Sequence, residues 1–88
     1  MSRNFKILAH RNSDNLHLKI SGDFDGQAAG ELLDAITRYG FSAGRIFIHT
    51  DGLDCVRPDG KALFWSGLPE FAQTRCRLVF TGNHQLAA

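Results

Sequence analysis

An α/β fold in the order β-β-α-β-α-β, with helices packed on one face of a mixed four-stranded sheet, is what this sequence predicts. Three observations carry that reading. Residues 16–20 (Leu-His-Leu-Lys-Ile) alternate apolar and polar, as a half-buried strand does. From Gln27 the apolar period lengthens, with Ala29, Leu32, Leu33 and Ile36 on one side and Glu31, Asp34 and Arg38 on the other, as on a helix. Residues 45–49 (Arg-Ile-Phe-Ile-His) then return to a strand, apolar on both faces. A strand, a helix and a strand at this spacing read as a parallel crossover.

The elements follow in order. Residues 5–9 form a first short strand, and residues 11–15 (Arg-Asn-Ser-Asp-Asn) are turn chemistry, because Asn and Asp side chains bond their own backbone. A hairpin with a loop of about five residues leads into the alternating strand. Gly22, Asp23, Phe24, Asp25 and Gly26 end it. Asp25 is placed to cap the first helix and Gly40 to stop it. After the third strand, residues 50–57 read as a polar loop pinned by Leu53 and Val56. Pro58 suits a first helical position, where no donor is needed, and Pro69 limits the helix to about residues 58–67. A turn or short helix through Phe71 and Ala72 precedes a fourth strand at residues 77–80.

Length and composition bound the function. Eighty-eight residues make one domain, spanning 1–88. Leu, Ile, Val and Phe number 24, enough for a packed but thin core. No run approaches a membrane span, and the first residues lack an apolar leader core, so the expected location is cytoplasmic. A net charge of +1 argues against bulk capture of nucleic acid. The middle of the chain is acidic, and Asp23, Asp25, Asp51, Asp54 and Asp59 fall at the expected carboxyl ends of strands, where such sheets form their sites.

Cofactor and catalytic chemistry find little support. The Asp23-x-Asp25 pair departs from a calcium loop at Ala28, where glycine is required, and at Asp34, where Glu is required. A magnesium site from Asp25 with Asp51 or Asp54 is weighed against ordinary caps and solvated acids, and the latter are preferred. Nucleotide-binding glycine motifs are absent. Cys55 near His49 lacks an oxyanion site, so His49 reads as structural or solvent-facing, while His10, His17 and His84 form no constellation. Cys55 and Cys76 read as reduced, largely buried thiols at opposite ends of the sheet, too far apart for a bridge. Phe64 reads as core, and Trp65 as either core or an anchor for a partner. No cofactor and no metal are expected.

Gly22-Asp23-Phe24-Asp25, the Ile46-Phe47-Ile48 strand with Leu53 downstream, and Asp59-Gly60 opening the next helix resemble the STAS family of sulfate transporter and anti-sigma factor antagonist domains. The family's G-[ED]-x-D motif and the spacing of the blocks match over roughly residues 14–82, although the family usually adds a further strand and helix. The resemblance implies a non-enzymatic protein-interaction module whose second helix and preceding loop dock an anti-sigma kinase or an ATPase-associated partner. The family loop commonly reads D-S-[ST]-G, with the hydroxyl before glycine phosphorylated to release the partner. Here those positions are Arg57, Pro58, Asp59 and Gly60, so an aspartate stands where the phosphoacceptor would. The implied docking residues are these four with Lys61 and Trp65. The alternatives are a STAS-type subunit of an ATPase or transporter assembly, and a small-molecule or magnesium site among Asp23, Asp25, Asp51 and Asp54.

Overall fold

A computed structural model describes residues 5–40, 43–70 and 77–82. Its elements are β1 (Lys6–Asn12), β2 (Asn15–Phe24), α1 (Gly26–Tyr39), β3 (Arg45–Val56), α2 (Pro58–Gly67) and β4 (Arg77–Thr81). They form the expected β-β-α-β-α-β order. The sheet order is β1-β2-β3-β4, with β1 antiparallel to β2 and the two remaining pairings parallel. Among the described residues no helix is long and apolar enough to cross a membrane.

The hairpin is tighter than its sequence suggests. Asn12 pairs with Asn15, so the loop is two residues rather than five, and Ser13 takes a left-handed φ of 60°. A loop this short needs a positive φ to match the twist of its strands. The alternation of β2 is realised as read: Leu16, Leu18 and Ile20 are buried, and His17 and Lys19 face the other way. Asp25 caps α1, its carboxylate accepting from the Ala28 backbone N–H at 2.8 Å. Gly40 ends α1 in a right-handed conformation, donating its N–H to the Ile36 carbonyl. Pro58 opens α2 as expected, and Leu68 ends it in an extended conformation, as a residue before proline prefers.

The largest departure is the polar stretch after residue 49. It is a continuation of β3 to Val56, not a loop. Two irregularities against β2 explain how a polar, glycine-containing segment stays in the ladder. Lys19 pairs with His49 and Ser21 with Gly52, so β3 holds one extra residue there; a second lies between Leu53 and Cys55. Each extra residue flips the side-chain phase, which returns Leu53 to the core after Thr50 and brings Val56 against it.

The core lies on the helix-covered side. Leu16, Leu18, Ile20, Ile46 and Ile48 pack with Ala28, Ala29, Leu32 and Ile36 of α1 and Phe64 of α2. The buried residues of α1 follow the helical period, and Leu33 packs at its margin. Phe64 meets Phe24 and Phe80 edge-on, with ring centres 6.3 and 6.1 Å apart, an arrangement that adds to simple area burial. The segment at Phe71 and Ala72 lies outside the described residues.

Candidate functional site

Two regions carry the residues with chemical potential, and they lie on different parts of the sheet. The first is the junction between the end of β2 and the start of α2. Arg57 donates its backbone N–H to the Phe24 carbonyl at 2.9 Å, anchoring the α2 entry to the β2 exit. A Cβ on Gly60 would stand 2.7 Å from the Asp25 carbonyl carbon and oxygen and 2.8 Å from the Phe24 oxygen. Only glycine allows this approach of one backbone to another. The Asp59 carboxylate faces the first residue of α1, with Oδ2 3.4 Å from where a Cβ on Gly26 would be. Asp59 thus sits in the first turn of its own helix and beside the start of α1, where two partial positive charges favour it.

The junction brings part of the expected set together. Asp25 and Asp59 meet there, and Arg57, Pro58 and Asp59 are exposed. Asp23 pairs across the ladder with Cys55, beside the exposed Asp54. Asp51 lies apart, on a shallow depression with Leu8, Lys19, Ser21 and His49. The five acids are therefore not one cluster. Among the described residues no group of three or more His, Cys, Asp or Glu converges on a metal ion. The Asp25 carboxylate is engaged as a helix cap.

Trp65 resolves toward the core. It is half-buried, its ring centre 5.2 Å from Phe64 and 5.8 Å from Phe80. The large apolar side chain that α2 does present is Leu63, 43% exposed. Cys55 is a free thiol and is exposed, contrary to the buried reading, because it falls on the outward phase after the second irregularity of β3. Cys76 lies outside the described residues.

The second region is the sheet face opposite the helices, and here the sequence reading needs correction. His17 and His49 are partners: His17 Nδ1 and His49 Nε2 are 3.0 Å apart, and His49 Nδ1 is 2.7 Å from Thr81 Oγ1. His10 lies directly opposite His17 on β1, with ring centres 6.4 Å apart. Phe47 packs in parallel over His17 at 4.8 Å. Leu8, His10, His17, Lys19 and His49 line a depression of about 430 Å³. Burial, foremost, then the neighbouring His17 and Lys19 hold the His49 imidazole below its ordinary range, with Asp51 acting the opposite way. A signal for this cluster existed in the sequence. His17 lies on the polar phase of β2 and His49 on the same sheet face of β3, and the parallel register, which pairs His17 with Phe47 and Lys19 with His49, makes the two histidines diagonal neighbours.

The sequence matches no protein-family model, and no curated protein matches it. Solved structures do match its fold. A crystal structure of Mglu aligns with 89% of this chain at 18% identity and a TM-score of 0.76. This chain spans about a fifth of the length of that protein, covering 20% of it. An anti-sigma factor antagonist STAS domain from Rhodobacter sphaeroides aligns over 91% of this chain and 88% of its own, at 11% identity and a TM-score of 0.69. The anti-sigma factor antagonist SpoIIAA, in its unphosphorylated form, aligns over 86% of this chain and 70% of its own, at 14% identity and a TM-score of 0.62. The chain has a STAS-like, SpoIIAA-like α/β fold.

Proposed function

We propose that this chain is a non-enzymatic protein-interaction module of the anti-sigma factor antagonist kind. The observation that carries the reading is the nearly whole-length likeness to the Rhodobacter sphaeroides STAS domain, which covers most of both chains. The docking surface is the start of α2: Arg57, Pro58 and Asp59 are exposed beside half-buried Lys61, with Leu63 as the apolar contact one turn on. Gly60 is buried and sets the loop's position, and Trp65 supports the helix from beneath. The partner is a protein of the anti-sigma kinase or ATPase-associated type, met in the cytoplasm.

Asp59 acts as a permanent charge of −1 where related loops carry a phosphoacceptor, against roughly −1.5 to −2 for a phosphate. Its place beside two helix starts supports a fixed orientation for that charge. The test is calorimetry of a partner captured on the immobilised chain, comparing wild type with Asp59→Ser. A severalfold change in affinity with an unchanged melting point supports the switch-like role. Equal affinities reduce Asp59 to a helix-start acid.

A second reading rests on the Mglu likeness, where this fold occupies a fifth of a larger chain. On that reading the module is a STAS-type subunit of an ATPase or transporter assembly, and it would co-purify with that assembly in constant proportion.

A further inference from the structure

Charge is divided unevenly between the parts of this molecule. On the sheet face opposite the helices, alternation places Lys6 of β1, Lys19 of β2 and Arg45 of β3, all exposed. The register brings Arg77 of β4 opposite Arg45. No Asp or Glu occurs in residues 6–12, 15–19, 45–49 or 77–81. Most acids gather at the loop end and along α1, with Asp51 at the margin of the open face. The net charge of +1 averages over this separation: it opposes bulk capture of nucleic acid and leaves a local basic track intact.

The cations flank a patch of rings. With about 4.8 Å between strands and 3.3 Å per residue, Lys6 and Arg45 stand roughly 22 Å apart, at opposite corners of the face. Lys19 lies between them, as do His17, Phe47 and His49. Phe47 and His17 are half-buried and parallel, with ring centres 4.8 Å apart. His17 is held by His49 at 3.0 Å, and His49 by Thr81 at 2.7 Å, so the rings are fixed before any ligand arrives. Leu8, 66% exposed, extends the apolar surface beside Lys19, its partner across the ladder.

Spaced cations with flat rings between them match a phosphate backbone that carries unpaired bases. A duplex hides its base faces in the stack, and a lipid surface favours apolar side chains that project, where these rings are half-buried. We propose that the open face binds a short single strand of RNA or DNA. Its phosphates run along Lys6, Lys19 and Arg45, and one or two bases pack against Phe47 and His17. Four-stranded sheets hold single strands in this manner, with bases stacked on the rings of the open face. A span of about 22 Å takes roughly six nucleotides at the stacked rise of 3.4 Å, within the roughly 4–16 of comparable sites. The site is separate from the start of α2 and does not depend on a protein docking there.

The test is fluorescence anisotropy of labelled twelve-nucleotide oligo(dT) and oligo(U) at pH 7.5. Binding at tens of micromolar is expected in 50 mM salt, weakening roughly 20-fold by 200 mM, because three neutralised phosphates give a salt slope near −2. Arg45→Gln and Lys19→Gln should each weaken binding severalfold and reduce that slope by about 0.7. Phe47→Leu should weaken binding at least fivefold with the slope unchanged, since it removes stacking and no charge. Arg38→Gln, exposed on α1, should change neither. Thermal melting checks that each variant folds. On the wild-type chain, irradiated strands carrying 4-thiouridine should crosslink to β2 or β3. Tighter binding of one of the two oligonucleotides assigns the strand as DNA or RNA. No binding at 500 µM protein, equal weakening by Arg38→Gln and Arg45→Gln, or unaltered affinity in Phe47→Leu would each overturn the proposal. So would crosslinks confined to α2, or binding to phosphatidylserine vesicles without binding to either oligonucleotide.

Discussion

The two faces of one sheet differ in what holds them. On the covered face, Leu18, Ile46 and Ile48 are sealed beneath α1 and α2, and the packing continues to the loop end, where Gly60 presses on the Asp25 backbone. On the open face, alternate residues of the same strands, His17, Phe47 and His49, are half-buried and joined by side-chain hydrogen bonds and ring contacts. The covered face specifies the fold by volume and close backbone approach. The open face has chemistry to spare, because little of the core depends on it. Adjacent residues of a single strand can therefore answer to different demands.

The sharpest test sets neighbours on β3 against each other. Ile48→Ala should cost about 3 kcal/mol, since it empties a fully buried position. Phe47→Ala, on the open face, should cost about half as much despite the larger side chain, as urea denaturation of both would report. Equal losses would mean that the open face is covered in solution.

Gly60→Ala comes next, at about 2 kcal/mol. The new Cβ meets backbone atoms, which cannot rotate away as a side chain can. A melting point within a degree or two of wild type would show that the junction is looser than described. Asp25→Ala should lose about 1 kcal/mol with the cap of α1, while Asp25→Asn should retain most of it. If the two variants melt together, the cap contributes nothing.

The smallest effect belongs to the open face and is a pH dependence. The folded His49 imidazole binds its proton less readily than in the unfolded chain. The groups around it are His17 and Lys19 on β2, His10 on β1, Asp51 on β3 and Thr81 on β4. Because the unfolded state takes up that proton first, stability is full above pH 6.5, the ordinary histidine value. It falls as pH drops below 6.5 and levels once the folded imidazole is also protonated. His49→Gln should flatten this slope in chemical denaturation measured from pH 8 to 5. An unchanged slope would assign it to other groups.

Much of the covered face was legible from the sequence because its signals are local. The alternation over residues 16–20, the Asp25 cap and Pro58 at the start of α2 each act within a few residues. The second half of β3 was not, because a strand holding Asp51, Gly52 and Asp54 is kept in the ladder by two irregularities against β2, which only pairing reveals. The hairpin loop was overestimated because turn-forming side chains also end strands; Asn12 and Asn15 are paired. The histidine pair depends on two residues 32 apart in sequence, linked only through strand register. At the loop end, the Gly22-Asp23-Phe24-Asp25 and Asp59-Gly60 blocks were visible, but their contact through Gly60 was not.

The central claim is that this module binds a protein through the start of α2. Hydrogen exchange of the chain, alone and with its captured partner, tests it most directly. Slowed exchange is predicted over residues 57–64, with β1 and the open face at His10, His17 and Lys19 unchanged. Protection confined to that open face, with residues 57–64 exchanging as freely as before, would contradict it.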